Sequence, residues 1–278
     1  MFKSIMLAVD GSAYTDTVLA YGIELGKLCA SHLHVLTVAD IRIFEWASAV
    51  GADGFISIVP SGTYQDSSKQ LLEEKCQKIL DKCAERLQPT GLSFGCESAF
   101  GAPVDIIADR AQIVDLLLLG QRGEFARYDK KALGATTEAV SRLVHKPILI
   151  VKPNYHAITK MMIGYDGSVH ANRALQYVAQ LGTLLQIGLS VLCVSDDQEL
   201  ARHYIQEARM YLNNYQVDTT YAIVPGHPEE QLPKFATREN IDLLAMGAYG
   251  RSRVREALLG STTDHILRTS PCPVLLAK

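Results

Sequence analysis

Ile5-Met6-Leu7-Ala8-Val9-Asp10-Gly11-Ser12 returns in the same chain as Met161-Met162-Ile163-Gly164-Tyr165-Asp166-Gly167-Ser168, 156 positions later. Each stretch is a short apolar run ending in Asp-Gly-Ser, the pattern of a strand buried on both faces that stops at a turn. Val114-Asp115-Leu116-Leu117-Leu118-Leu119-Gly120 returns as Ile241-Asp242-Leu243-Leu244-Ala245-Met246-Gly247. Lys146-Pro147-Ile148-Leu149-Ile150-Val151-Lys152 returns as Cys272-Pro273-Val274-Leu275-Leu276-Ala277-Lys278. These repeats come after 127 and 126 positions, so the first copy is longer by about thirty residues, the unmatched stretch at about 41–68. Internal repetition sets the architecture. Two copies of one domain, 1–153 and 158–278, are joined through Pro153-Asn154-Tyr155-His156-Ala157. The length of 278 residues agrees, being about 1.9 times a domain of roughly 150.

Each copy alternates strand-length runs with helical patterns. The first has Ile5 to Val9, Leu33 to Val38, Leu116 to Leu119 and Ile148 to Val151, with a weaker run at Leu92 to Cys96. The second has Met161 to Tyr165, Leu189 to Val194, Tyr221 to Val224, Leu243 to Met246 and Val274 to Ala277. Between them Val18, Tyr21, Leu25 and Leu28, and then Leu72, Cys76, Ile79, Cys83 and Leu87, recur at helical spacing. The expected fold class is α/β: two tandem, doubly wound, five-stranded parallel-sheet domains with helices on both faces. Gly101-Ala102-Pro103 and Gly226-His227-Pro228 read as helix starts, and Pro233 should bend or delay its helix.

A chain 48% hydrophobic and 21% charged can bury real cores, which excludes a disordered or low-complexity protein. A net charge of -3 and a pI near 6.2 speak against wrapping nucleic acid or coating an anionic membrane. No apolar run approaches the ~20 residues that span a bilayer, so no membrane insertion is expected. The start, Met1-Phe2-Lys3-Ser4 before Ile5 to Val9, is too short and too soon followed by Asp10 for a signal peptide. Six scattered cysteines without a C-x-x-C pair read as buried free thiols in a reducing, cytoplasmic setting. The histidines show no metal-ligand spacing.

In a doubly wound sheet, ligands bind beyond the carboxyl ends of the strands where strand order switches. The loop after the fourth strand of the second copy reads Gly247-Ala248-Tyr249-Gly250, then nine residues, then Gly260-Ser261-Thr262-Thr263 opening a helix. Glycines let backbone approach an anion, and a helix N-terminus supplies free N–H groups and partial positive charge. Arg251, Arg253 and Arg255 lie in the intervening nine. A plainer reading is equally open: the glycines serve tight turns, Ser261 is an N-cap with Asp264 completing a capping box, and Asp166 caps a turn.

Asp-Gly-Ser after the first strand, Gly-x-x-Gly-x9-Gly-Ser after the fourth, and a terminal Pro-Val-Leu-Leu strand together resemble the universal stress proteins. The resemblance covers both copies and implies a tandem member, with a fold like that of other adenine-nucleotide α-hydrolase-like proteins and a cytoplasmic location. It implies that the second copy binds ATP, with Mg²⁺. Asp166, with Gly167 and Ser168 after it, would stand near adenine and ribose beside Tyr165, and the main chain of Val194 would meet adenine. Met246, Gly247, Tyr249, Gly250, Gly260, Ser261 and Thr262 match the end of the fourth strand, the phosphate loop and its helix, Tyr249 standing where many relatives have histidine. Relatives pair through their last strands, so Ile148 to Val151 and Val274 to Ala277 should join the repeats as an internal pseudo-dimer. Further association into a homo-oligomer stays open.

The first copy departs from this pattern. Gly120-Gln121-Arg122-Gly123 is followed by ten residues before Gly134, and Ala135 replaces the serine. With Asp10 and Val38 it forms a degenerate site in which Thr136 is the nearby hydroxyl, and weak or no nucleotide binding is expected. The insertion at 41–68 holds Phe44, Trp46, Phe55 and Tyr64. It either packs its aromatics on the domain or covers a different, apolar ligand. No G-x-S-x-G elbow, lysine-bearing Walker loop or paired catalytic carboxylates occur, so binding is favoured over turnover. The alternatives are a slow ATP hydrolase or autokinase, and a nucleotide-independent scaffold or carrier of an apolar ligand.

Overall fold

The fold is described from a computed structural model for residues 1–40, 62–124, 133–248 and 260–278, with the backbone alone over 62–68. Phe44, Trp46, Phe55, the Tyr64 side chain, Tyr249, Gly250, Arg251, Arg253 and Arg255 lie outside what is described. The first copy runs β1 (Ser4–Ala8), α1 (Thr15–Cys29), β2 (His32–Asp40), α2 (Gly62–Leu87), β3 (Phe94–Gly101), α3 (Pro103–Ala111), β4 (Leu116–Gly120), α4 (Ala135–Leu143) and β5 (Ile148–Val151). The second runs β6 (Met161–Gly164), α5 (Val169–Leu185), β7 (Leu189–Val194), α6 (Gln198–Leu212), β8 (Thr219–Val224), α7 (Pro228–Arg238), β9 (Leu243–Gly247), α8 (Ser261–Thr269) and β10 (Val274–Ala277).

These strands form one sheet in the order β3-β2-β1-β4-β5-β10-β9-β6-β7-β8. Pairing is parallel within each half. The chain moves outward from β1 through β2 to β3 and then returns to β4 on the other side, which opens a crevice at the β1/β4 carboxyl ends. The β6/β9 boundary repeats it. The halves meet along the antiparallel pair β5–β10, with Leu149 opposite Leu275.

Alternation along fully buried strands explains the layering. Leu116 and Leu118 of β4 face one core, Leu117 and Leu119 the other. Leu275 and Ala277 of β10 join the first of those cores, Val274 and Leu276 the second, so both hydrophobic layers cross the seam. Two lysines ending the seam strands reach carbonyls at helix ends in the opposite half, where backbone acceptors lack partners. Lys152 Nζ donates to the Leu267 carbonyl (3.3 Å) and Lys278 Nζ to the Arg142 carbonyl (2.8 Å). Burial pushes both lysines down to about 8. Gln121 Nε2 adds bonds to the carbonyls of Leu267 (2.7 Å) and Arg268 (3.3 Å). The connecting segment is held by α1, whose Thr17 and Tyr21 hydroxyls donate to the carbonyls of Pro153 and His156, each at 2.8 Å.

Three expectations need correction. Strand β3 starts at Phe94 and runs past Cys96 to Gly101; it is a sheet edge with a largely exposed face, so apolar continuity does not mark its span. For the same reason Cys96 is exposed, while the other five cysteines are buried. Pro233 does not delay α7, which begins at Pro228 and continues through it to Arg238. In a helix this short the proline withholds a single N–H, from the Glu229 carbonyl. Among the described residues no helix is long and apolar enough to cross a membrane.

Candidate functional site

In both copies the Asp-Gly-Ser turn is built by local bonding. Asp10 Oδ1 accepts from Ser12 N and Asp166 Oδ1 from Ser168 N, each at 3.0 Å. Gly11 and Gly167 hold left-handed backbone at φ +77° and +71°, which favours glycine. Ser168 caps α5 by accepting from Ala171 N at 3.1 Å. The turn brings one half-buried carboxylate to each crevice.

Around the second crevice the structure sorts the expected residues into two groups. Val194 ends β7 half-buried, and Asp166 stands at the end of β6. Gly260 precedes the first helical residue of α8, with no side chain capping the helix. A Cβ there would meet, among the described residues, only Thr263 Oγ1 at 3.8 Å, so none of them crowds this position. Ser261 and Thr262 then open the helix, leaving first-turn N–H groups without intrahelical acceptors. The second group is structural. Tyr165 is 3% exposed and its hydroxyl, pushed up to about 12 by burial, bonds Asn172 Oδ1 at 2.6 Å. Met246 is buried. Gly247 is required by packing, since a Cβ would stand 2.7 Å from Ala171 N.

The capping-box reading of this loop does not hold. Ser261 lies inside the helix, not before it, and Asp264 is paired with Arg268 at 3.0 Å. Thr263 Oγ1 instead ties α8 to the Ala248 carbonyl at 2.7 Å. One carboxylate at this helix start escaped the sequence reading: Glu229, in the first turn of α7, accepts from Thr262 Oγ1 at 3.2 Å. Its signal was the Pro228-Glu229-Glu230 helix start, read only as a boundary.

The first crevice is closed differently. Asp10 Oδ2 accepts from Glu124 N at 2.8 Å, so the carboxylate of the turn lies against the loop after β4. Gly123 allows that approach, since a Cβ would fall 2.7 Å from Asp10 Oδ2. Gly134 N donates back to the Gln121 carbonyl at 3.0 Å, and the Glu124 carboxylate pairs with Lys75 of α2. Gly120 packs on Tyr14, and Thr137 Oγ1 donates to the Gly120 carbonyl at 2.8 Å. Between these groups and α2 lies a cavity of about 480 Å³, with Val38 and Thr136 on its wall. The helical spacing of Leu72, Cys76 and Ile79 was legible as packing, and the space beside it was not.

Among the described residues no group of three His, Cys, Asp or Glu side chains could hold a metal ion. Mg²⁺ usually keeps most of its coordination to water and substrate phosphates, with one or two protein oxygens. Asp166 and Glu229 supply carboxylate oxygens of that kind at the second crevice.

Two switch-point crevices on a tandem, doubly wound sheet define the class of protein, and comparison with known proteins gives the family. The model of the universal stress protein family matches residues 1–152 and 197–278. Universal stress protein Slr1230 of Synechocystis is 30% identical over 288 residues, covering 98% of this chain and 99% of its own. The crystal structure of a universal stress protein from Archaeoglobus fulgidus superposes with a TM-score of 0.77 at 21% identity, covering 99% of this chain and 96% of that one. Protein PA1789 of Pseudomonas aeruginosa gives 0.71 at 17% identity over 100% of this chain and 92% of that one. The chain belongs to the universal stress protein family.

Proposed function

We propose that the second domain, 158–278, binds ATP with Mg²⁺, that the first, 1–153, does not, and that the protein acts in the cytoplasm as a nucleotide-dependent regulator in stress response. The observation that carries this reading is the start of α8: a helix N-terminus without a side-chain cap beside a switch-point crevice, preceded by a glycine whose missing Cβ no described residue crowds. Free first-turn N–H groups and the positive end of the helix dipole suit phosphate oxygens. The Ser261 and Thr262 hydroxyls would add donors, Asp166 and the Val194 main chain would face the nucleoside, and Met246 and Gly247 would shape the strand end. Tyr249 and Gly250 belong to the proposed loop on the motif alone. Mg²⁺ bound with ATP would neutralise phosphate charge, and Asp166 and Glu229 are the carboxylates suited to it.

In this reading the β5–β10 seam makes the two domains an internal pseudo-dimer. Native mass spectrometry of freshly purified protein, followed by calorimetric titration with ATP and Mg²⁺, tests the proposal. One ATP per chain is expected; a chain that retains no nucleotide and binds none on titration refutes it.

A further inference from the structure

We infer that the first crevice is a binding site for an uncharged, largely apolar small molecule. The inference is independent of ATP binding in the second domain, because it concerns a different cavity with different walls.

The wall that makes the cavity is α2. A Cβ on Gly11 would meet Ile79 at 2.9 Å, and one on Gly167 would meet Tyr204 at 2.6 Å, so Ile79 and Tyr204 hold equivalent places under the two turns. Counting back along both helices sets Leu72 opposite Asp197, the N-cap of α6. Helix α2 begins ten residues before Leu72, at Gly62, and so extends about 15 Å beyond the start of its counterpart. Its Leu72, Cys76 and Ile79 face Leu36, Ile107 and Leu119 across the cavity. The volume of about 480 Å³ lies within the roughly 300–1,000 Å³ typical of small-molecule sites.

The described walls disfavour a polyphosphate. Among the described residues, the carboxylates at the walls are those of Asp10, Asp40 and Glu124, and the cations are Arg122 and Lys75, the latter paired with Glu124. Two loop N–H groups that could meet phosphate are occupied, Glu124 N by Asp10 Oδ2 and Gly134 N by the Gln121 carbonyl. An entering triphosphate would have to break both contacts and lie against the Asp10 carboxylate, with like charges held close in a partly desolvated site. A neutral ligand meets no such opposition. The polar pole it finds is the start of α4, where Gly134 provides no side-chain cap and the Thr136 hydroxyl is at the wall; both suit one carbonyl or hydroxyl oxygen of the ligand.

The test is a fluorescence titration of the full-length protein with N-phenyl-1-naphthylamine, an uncharged apolar fluorophore. Saturable binding at one site per chain, in the micromolar range, is expected. Two substitutions at tolerant positions locate it: Leu72→Glu, which puts a carboxylate on a partly exposed part of the wall, and Ala135→Trp, which fills the exposed rim. Each should weaken binding by at least about tenfold, with circular dichroism confirming that the variants stay folded. Excess ATP should not displace the fluorophore, and Gly260→Val should leave its binding unchanged. Absence of saturable binding, retention of full affinity in both folded variants, or displacement by ATP would each overturn the inference. Loss of ATP binding in the second domain would not.

Discussion

Asp10 and Asp166 occupy the same turn and make the same first bond, 3.0 Å to the N–H two residues on, yet their crevices differ in what surrounds the carboxylate. Asp10 reaches across to Glu124 N in a loop one residue longer than its counterpart. The added residue has a visible register effect. Thr137 Oγ1 bonds the carbonyl of Gly120, the first loop glycine, whereas its counterpart Thr263 bonds Ala248, one position past the equivalent Gly247. The Asp-Gly-Ser turn is therefore common to both domains, while the loop after the fourth strand differs between them in length and in the carbonyl that the helix threonine reaches.

That difference is tested most directly at the loop glycines. Gly260→Val adds bulk where, among the described residues, no packing opposes it, so ATP affinity should fall by about 100-fold, roughly 2.7 kcal/mol, with little change in melting temperature. Calorimetry and a thermal melt check both halves of the statement. Ala135→Ser in the first domain should create no ATP site, because the Asp10 contact with Glu124 N persists. A variant that gained affinity would show that the hydroxyl, not the closed loop, is what the first domain lacks.

The turn glycines come next. Gly167→Ala forces left-handed backbone on alanine and drives its Cβ to 2.6 Å from the rigid Tyr204 ring, so a loss of about 2–3 kcal/mol is expected in urea unfolding. Gly11→Ala meets the flexible end of Ile79 at 2.9 Å and should lose only about 1 kcal/mol, most of it backbone strain. Equal losses would mean that the two turns are packed alike.

These differences also mark how far the sequence could be read. Strands such as Leu116 to Leu119 and Val274 to Ala277 were legible because both faces are buried and every residue is apolar. Edge strand β3 was legible only at its start, because exposure breaks the pattern beyond Cys96. The motif gathers residues of different structural kinds: Asp166, Gly260 and Thr262 at the ends of elements, Gly247, whose absent Cβ serves helix packing, and Tyr165, whose hydroxyl is tied to Asn172. Spacing records which residues recur, not whether a glycine clears room for a ligand or for a neighbouring helix. The Asp10–Glu124 contact joins residues 114 apart and has no local signature.

A smaller contrast lies in the serines of the two turns. Ser168 is a true N-cap, and Ser168→Ala should lose about 1 kcal/mol. Ser12 bonds Tyr14 N at 3.3 Å but stands before α1 without capping it, so Ser12→Ala should lose less than about 0.5 kcal/mol. Chemical unfolding of the pair gives the difference.

A small effect at neutral pH is also expected at the seam. Lys152→Met removes the bond to the Leu267 carbonyl but also relieves the burial of a cation, so the net change should stay within about 1 kcal/mol. The slope with pH is more informative. Burial holds Lys152 at about 8 in the folded chain, against 10.5 for the ordinary side chain. Between those values the unfolded chain binds more protons at this residue than the folded one, so unfolding free energy rises with pH. The contribution is complete above 10.5 and is lost as pH falls through about 8. Unfolding of wild type and Lys152→Met at pH 7, 8, 9 and 10 should therefore show wild type gaining on the variant through the upper half of that series. Cys272, raised by burial in both proteins, loses the opposing influence of the Lys152 charge in the variant. Parallel pH profiles would place the ammonium in water, and the first and second domains would then be joined by their strands and cores without the paired lysine contacts to the helix ends.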